Sequence, residues 1–433
     1  MYWKTVDPYL SVIRRVVHIA LIWACAAFPT WAQPQSTKTV FTLDQLIQLA
    51  LESNPQVMAA RDQTRAVSGQ LRSARAIPNP EFEVNTGQQR GTSGGLNTGN
   101  LSQWVVTQPL DMPYTRFPRV NAAEASMRAA EANRVAFEVE TIARVRQSFY
   151  ELVRREAESR AADEDLDLTK QIRDRMQLRY DVGETARFEL IRAQTEFLNA
   201  EIVAQGSKLR IEQARSQLRK VVGFNLPANF EIAAKVDSIP KLPELKVLLD
   251  NLRNQSPELK RAKAEVEASE SRLSFEQNSR LPQLAIKAQQ YNDPNFTDRL
   301  YGLVVSIPIW DFRQGQITEA EANASKARNQ LNAQMQSLET QLESAYKLFE
   351  ITSFQVKTLD ERVVQLAASA RKIAETSYRF GERGMLEFLD AQRTFRAARN
   401  DLIRARFELA SIVNEIERLS ASPEWVAMIE GKK

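Results

Sequence analysis

The two halves of this 433-residue chain repeat one another at a spacing of about 200 residues, which restricts its possible folds more than any other feature. Residues 179–184 (RYDVGE) match 377–382 (SYRFGE) without a gap. The match continues as 189–194 (ELIRAQ) against 387–392 (EFLDAQ). Chance similarity between helices would not preserve an ordered set of glycine and proline landmarks. The chain is therefore expected to hold one structural unit built twice.

Long stretches of both halves predict helices. A helix opens each half, over 43–77 and over 242–280, and a longer one follows from 119 to 180, roughly 90 Å at 1.5 Å per residue. Apolar residues at alternating steps of three and four indicate coiled coils. Three such runs are Leu331, Met335, Leu338, Leu342, Ala345 and Phe349; Leu359, Val363, Leu366, Ala370, Ile373, Ser377 and Phe380; and Leu402, Ala405, Leu409, Ile412, Ile416 and Leu419. Turns at Gly183 and Gly381 make each long pair an antiparallel hairpin.

Each half also contains two extended, partly amphipathic segments. Apolar and polar residues alternate in 284–289 and, less cleanly, in 300–309. Polar loops join the pairs, and the glycine-rich loop 91–99 lacks the Lys-Ser/Thr ending of a phosphate-binding loop. Amphipathic strands of this length are typical of membrane β-barrels, but four strands cannot close one. A barrel shared between chains would solve this.

The first 32 residues predict a secretory signal peptide. Arg14 and Arg15 precede an apolar run that is shorter than the roughly 20 residues a bilayer-spanning helix needs. Cleavage is expected before Gln33. The alternative is a lipoprotein signal cleaved before Cys25, which would then carry the lipid.

The composition of the mature chain excludes several kinds of site. His18 and Cys25 are the only histidine and cysteine, and both lie in the predicted signal. Without them there is no Ser-His-Asp triad, no cysteine nucleophile and no common zinc site, so neither a metal site nor a cofactor is expected. The near-neutral charge balance gives no reason to expect nucleic acid as a partner.

These patterns divide the chain into five segments. They are the signal peptide (1–32), a first repeat (33–226), a linker (227–241), a second repeat (242–420) and a C-terminal tail (421–433). Each repeat is expected to contain a helix, two strands and a long helical hairpin. The predicted fold is mainly α with a small β part.

Together, the signal peptide, the duplication, the paired strands and the long hairpins resemble the TolC-like outer-membrane efflux proteins over essentially all of the mature chain. Asn54-Pro55, the Pro-Asn-Pro step at 78–80 and the Val-Gly-Glu turn at 182–184 resemble the heavy-metal efflux branch. The resemblance implies a homotrimer in the outer membrane of a Gram-negative bacterium. Each chain would supply four strands to one β-barrel in the outer-membrane lipid, and its hairpins to an α-barrel across the periplasm.

The same resemblance implies a function without catalysis. The protein would be the passive outer-membrane conduit of a tripartite efflux pump exporting metal ions or drugs. Its partners would be a periplasmic adaptor protein and an inner-membrane transporter of RND or ABC type. Two alternatives stay open: an outer-membrane duct for type I protein secretion, and a periplasmic coiled-coil adaptor or structural protein.

The resemblance also points to residues at the hairpin tip. Tyr378, Gly381, Arg383, Glu387 and Asp390 fall on the family's tip motif. Two of these, Glu387 and Asp390, share a helix face because they are three residues apart. Threefold symmetry would turn them into stacked carboxylate rings, a pore constriction that attracts cations. Alternatively, the two acids serve only the dipole of the helix that they begin.

A latch between neighbouring hairpins is the second implied feature of the tip. Glu189 matches the family's acidic partner and would bind Tyr378 and Arg383. Phe188 departs from the small polar residue usual beside that acid. Alternatively, Arg383 is a solvated cation and Tyr378 only closes the end of a heptad stripe.

Overall fold

A computed structural model of the chain describes residues 39–90, 98–233, 241–421 and 425. The predicted signal peptide, Cys25 and most of the 91–99 loop lie outside these residues. The helices are α1 (Leu43–Ser53), α2 (Pro55–Arg75), α3 (Pro113–Asp181), α4 (Arg187–Val222), α5 (Leu245–Gln255), α6 (Pro257–Asn278), α7 (Gln314–Thr358), α8 (Val364–Arg379) and α9 (Met385–Leu419). The strands are β1 (Thr39–Phe41), β2 (Glu81–Gln89), β3 (Gly99–Leu110), β4 (Phe230–Ile232), β5 (Gln283–Asn292) and β6 (Thr297–Ser306).

The opening of each half is two helices rather than the single helix predicted from the apolar pattern. Pro55 and Pro257 cause the break, because proline lacks an N–H and disfavours helical backbone in the residue before it. The preceding side chains then cap the second helix. Asn54 accepts a 2.8 Å hydrogen bond from the backbone N–H of Gln56, and Ser256 caps α6 in the same way.

The long helices of the two halves differ in one respect. In the first half, α3 runs for 69 residues, about 100 Å at 1.5 Å per residue. In the second half, a π-helical turn at Leu359–Val363 separates α7 from α8. Such a turn adds a residue to the helix and rotates the side-chain stripe that follows. Among the described residues, no helix combines the length and the apolar character needed to cross a bilayer.

Near the Gly183 and Gly381 turns the helices lie side by side in the order α4, α3, α9, α8. The third predicted apolar run is buried on α9, where Leu402, Leu409 and Ile416 face the interior. The second run is not, since Leu366 and Ile373 of α8 are 71% and 66% exposed. The predicted stripe therefore exists on α8, but none of the described residues covers it.

Strands β2, β3, β5 and β6 form one antiparallel sheet in that order. Side chains in register across all four strands are Phe82, Val106, Ala288 and Tyr301. Strand β6 ends at Ser306, earlier than the 300–309 segment predicts. The sheet leaves β2 and β6 as its edges. The short strands β1 and β4 pair in a separate two-stranded sheet.

Candidate functional site at the hairpin tips

Both hairpins turn in the same way. Gly183 and Gly381 have φ angles of +78° and +77°, a left-handed conformation that glycine adopts without a steric penalty. Just beyond them, the N–H of Glu184 donates to the carbonyl of Arg179 at 2.8 Å, and the equivalent bond in the second turn measures 2.9 Å. This hydrogen-bond pattern ends helices whose next residue is left-handed.

An apolar core ties the two hairpins together behind the turns. Its buried members are Ile172, Met176, Leu190, Ala193, Met385, Phe388 and Leu389. Tyr378 packs against this core with its ring stacked on Phe388, the centroids 5.9 Å apart. Its hydroxyl lies 3.8 Å from the sulfur of Met176 and also accepts a hydrogen bond from Arg179, which raises the pKa of that guanidinium. Within one chain, Tyr378 therefore bonds to α3 rather than to Glu189.

The predicted acidic residues lie on the surface at the start of α9. Glu387 and Asp390 are exposed, and Arg383 donates to the Glu387 carboxylate at 2.8 Å. No described residue forms an ion pair or hydrogen bond with the Asp390 carboxylate. Nowhere among the described residues do three or more His, Cys, Asp or Glu side chains lie close enough together to hold a metal ion. Two free or weakly paired carboxylates thus stand on one exposed helix face.

Glu189 stays within its own hairpin. Its carboxylate accepts a 2.5 Å hydrogen bond from the hydroxyl of Thr185, four residues earlier. Among the described residues it forms no hydrogen bond or ion pair with Tyr378 or Arg383. A latch between these groups would have to form between chains.

Sequence reasoning missed a buried ionic cluster where α3 crosses α9. Arg399 donates to Asp165 at 2.7 Å and to Glu164 at 2.8 Å. Gln392 donates to the other Asp165 oxygen at 3.1 Å. Burial raises the pKa of the Asp165 carboxyl, and the positive charges of Arg399 and Arg396 oppose that shift. The sequence signal for this cluster is the position of Asp165, which lies at helical spacing in the same stripe as the apolar Leu168 and Ile172.

Apolar stripes also mark the two outer helices of the tip region. On α4, large apolar residues recur at steps of three, four or seven and stay exposed: Phe188, Ile191, Leu198, Ile202 and Leu209. On α8, Leu366 and Ile373 form the uncovered stripe described above. Two helices at opposite edges of the bundle therefore each present a coiled-coil surface that no described residue covers.

Comparison with known proteins identifies the family to which these features belong. Residues 46–224 and 248–422 both match the family described as "Outer membrane efflux protein". The chain belongs to that family. This efflux protein is 25% identical over 368 residues to the cobalt-zinc-cadmium resistance protein CzcC of Cupriavidus metallidurans, covering 84% of this chain and 86% of CzcC. It is 22% identical over 289 residues to the nickel-cobalt-cadmium resistance protein NccC of Alcaligenes xylosoxydans xylosoxydans, covering 66% and 65%.

Solved structures share the fold. The CmeC outer membrane channel of Campylobacter jejuni superposes with a TM-score of 0.77 at 15% identity, over 94% of both chains. CusC gives a TM-score of 0.75 at 17% identity, covering 91% of this chain and 95% of CusC. The predicted family and the mainly α fold with a small β part are confirmed. The efflux protein is an outer-membrane channel protein and not an enzyme.

Proposed function

We propose that three copies of this chain form the passive outer-membrane conduit of a tripartite efflux pump. The observation that carries the proposal is the pair of exposed apolar stripes on α4 and α8. Burying large apolar side chains stabilises by roughly 1.5–3 kcal/mol each, so these stripes strongly favour a helical partner. The occupant that fits is the opposite edge of a second copy.

The internal repeat supports contact between α8 of one copy and α4 of the next. In the repeat alignment, Ala370 of α8 takes the place of Ile172 of α3, and Ile191 of α4 takes the place of Leu389 of α9. Within the chain, Ile172 and Leu389 belong to the same buried cluster. Contact between α8 of one copy and α4 of the next would repeat that packing. Such a head-to-tail contact closes into a ring when the rotation fits.

The edge strands of the four-stranded sheet also favour contact with a second copy. Within the part of the chain that the structure describes, strands β2 and β6 each have one side without a partner strand. Unpaired strand edges are stabilised by pairing with another chain, and closing the sheet removes edges altogether. Edge pairing between copies in the outer-membrane lipid would produce the shared β-barrel that four strands cannot form alone.

The tip residues supply a closing mechanism for this conduit. Rings of Glu387 and Asp390 would favour cations at the constriction. Contacts from Glu189 of one copy to Arg383 and Tyr378 of the next would hold the tip closed. A periplasmic adaptor, docking together with an inner-membrane transporter of RND or ABC type, would supply the differential binding energy that opens it. The metal-resistance names of two relatives favour divalent metal ions as the cargo.

Disulfide trapping tests the assembly. The double variant carries Ile191→Cys and Ala370→Cys. The two introduced cysteines are the only free thiols expected in its mature chain, because Cys25 is either removed or lipidated. Mild oxidation should convert the double variant into covalent dimers and trimers, whereas each single variant should stay monomeric on a denaturing gel. Monomers alone, from outer-membrane protein with an intact fold, would reject the ring.

Metal tolerance tests the cargo. A strain lacking its own metal-efflux channel should regain cobalt, zinc and cadmium tolerance when this chain and its pump partners are expressed. Unchanged metal tolerance with a gain in drug tolerance would keep the conduit and reject metals. Export of a whole protein would instead favour the type I secretion duct.

A further inference from the structure

A groove of about 650 Å³ runs along α3 between α4 and α9, behind the tip core. Arg154, Glu158 and Asp165 of α3 lie on its floor. One wall comes from α4, including Arg210, and the other from α9, including Arg396. Both hairpins of one chain therefore build this groove, and no second copy is needed to complete it.

Positive charge dominates the groove. Its six arginines are Arg154, Arg155, Arg210, Arg393, Arg396 and Arg404. Its acids are Glu158, Asp165 and Glu196. Guanidinium groups gathered in a partly enclosed groove repel one another unless anions neutralise them. An arginine that no carboxylate of the fold neutralises is therefore a cost unless it serves a ligand.

Most of these arginines already have carboxylate partners. Arg154 and Arg155 bind Glu151 at 2.6 and 2.8 Å, and Arg404 binds Asp401 at 2.8 Å. Two further groove residues, Arg393 and Glu196, pair across α9 and α4. In contrast, Arg210 and Arg396 form no ion pair or hydrogen bond anywhere in the described ranges. Each wall thus holds a guanidinium outside ion-pair distance of any described carboxylate, although the charge of Arg396 still acts on Asp165.

In the proposed ring of three copies, the shape of the groove predicts whether it lies on the inner or the outer surface of the α-barrel. Side chains of α3, α4 and α9 line the groove together, so the surface of these three helices is concave along it. A tube that continues this curvature encloses the concave side. The groove uses Asn199 and Ser207 of α4, whereas the exposed stripe uses Leu198 and Ile202. Ring assembly through that stripe would therefore leave the groove uncovered, and in a tube of this curvature the groove would face the lumen.

We propose that this groove is a binding site for a multiply charged oxyanion inside the conduit. The ligand class is a solute that bears several phosphate or carboxylate groups. Arg210 and Arg396 would clamp it from opposite walls, since the planar guanidinium makes paired hydrogen bonds to such groups. The amides of Asn199 and Asn400 add neutral donors. The site deepens the proposed conduit by giving it a zone for anions in addition to the cation-favouring acids at the tip.

Calorimetric titration of the purified full-length trimer with inorganic tripolyphosphate tests the site. The variant carrying Arg210→Gln and Arg396→Gln should bind at least tenfold more weakly than the wild type. A matched control carries Arg72→Gln and Arg219→Gln, which remove the same charge from exposed helix positions outside the groove. That control should bind like the wild type.

Two results would overturn the proposal. One is wild-type protein that binds no tripolyphosphate. The other is an equal loss of affinity in the groove and control variants, which would show a diffuse charge effect. Conductance of the same preparation in planar bilayers separates the two proposals. A conducting trimer without tripolyphosphate binding rejects the groove alone, and a trimer that binds at Arg210 and Arg396 but never conducts rejects the conduit alone.

Discussion

The Asp165 carboxylate of α3 accepts a 2.7 Å hydrogen bond from the Arg399 guanidinium of α9, and this buried pair ties the first hairpin to the second. Only 9% of the Asp165 side chain and 16% of the Arg399 side chain are exposed. Gln392 occupies the second carboxylate oxygen. The two hairpins are thus held by charge above the turns and by the apolar tip core nearer to them.

Replacing Arg399 with leucine should destabilise the protein strongly. The substitution leaves a buried carboxylate without its cation, which typically costs roughly 3–5 kcal/mol. Arg404→Leu is the matched control, because its pair with Asp401 is exposed and such pairs contribute about 0–1 kcal/mol. Thermal unfolding of the two variants in detergent gives the comparison. Equal shifts in Tm would show that the buried pair contributes no more to stability than the exposed one.

The stability of the wild type relative to Asp165→Asn should rise as the pH falls from 7 toward 4. Burial raises the pKa of Asp165 in the folded protein, so the folded state holds that proton more tightly than the unfolded chain. The resulting stability is complete below the unfolded-state pKa, about 3.9, and is lost as the pH rises through the folded-state pKa. Tm measured against pH for both proteins tests this. Asp163→Asn, at an exposed position, should show no such trend.

Local features of the chain could be predicted from sequence. Gly183 and Gly381 lie where the repeat suggests, because a left-handed residue at a helix end strongly favours glycine. The breaks at Pro55 and Pro257 could also have been predicted, since proline marks them in the sequence. Helix ends and turns are determined by residues that are neighbours in the chain, so they can be predicted from a single sequence.

Contacts between the hairpins could not be predicted in the same way. Heptad stripes predict that a helix face packs against another helix, but not which helix that is or whether it belongs to the same chain. The stripe of Leu366 and Ile373 looks like any core stripe, yet it is exposed in one chain. Likewise, Asp165 and Arg399 lie far apart in sequence, and nothing local links an acid on α3 to an arginine on α9. Their pairing follows from tertiary packing alone.

Gly183→Ala should destabilise the first hairpin turn by roughly 1–2 kcal/mol, the cost of a left-handed conformation for a residue with a Cβ. No atom of the described residues lies within 4 Å of the added Cβ, so the cost comes from the backbone conformation. Gly206→Ala is the opposite control, because Gly206 lies inside α4 with equal space around it. That variant should gain about 0.5–1 kcal/mol. Chemical unfolding measures both, and a stabilising Gly183→Ala would contradict the turn assignment.

Glu189→Gln and Arg383→Gln should each raise the resting conductance of the trimer if these residues latch neighbouring chains. Among the described residues, the Glu189 carboxylate bonds to Thr185 alone and Arg383 bonds to the exposed Glu387, so neither substitution should disturb the fold. Thr185→Val removes the local bond of Glu189 while keeping its charge, and should leave the conductance low. Single-channel recording distinguishes these cases, and unchanged conductance in both charge variants would reject the latch.

Replacing Glu387 with glutamine and Asp390 with asparagine should abolish block of the pore by multivalent cations. Both carboxylates are exposed on one face of α9, and threefold repetition would concentrate six negative charges at the tip, as acidic rings do in cation channels. The control carries Asp181→Asn and Glu184→Gln, the same charge loss at the exposed turn of the other hairpin. Wild type and control should both be cation-selective and blocked in planar bilayers, while the α9 variant should conduct without block. If the α9 variant is blocked as strongly as the wild type, these acids do not form the constriction, and their position at the start of α9 serves only the helix dipole.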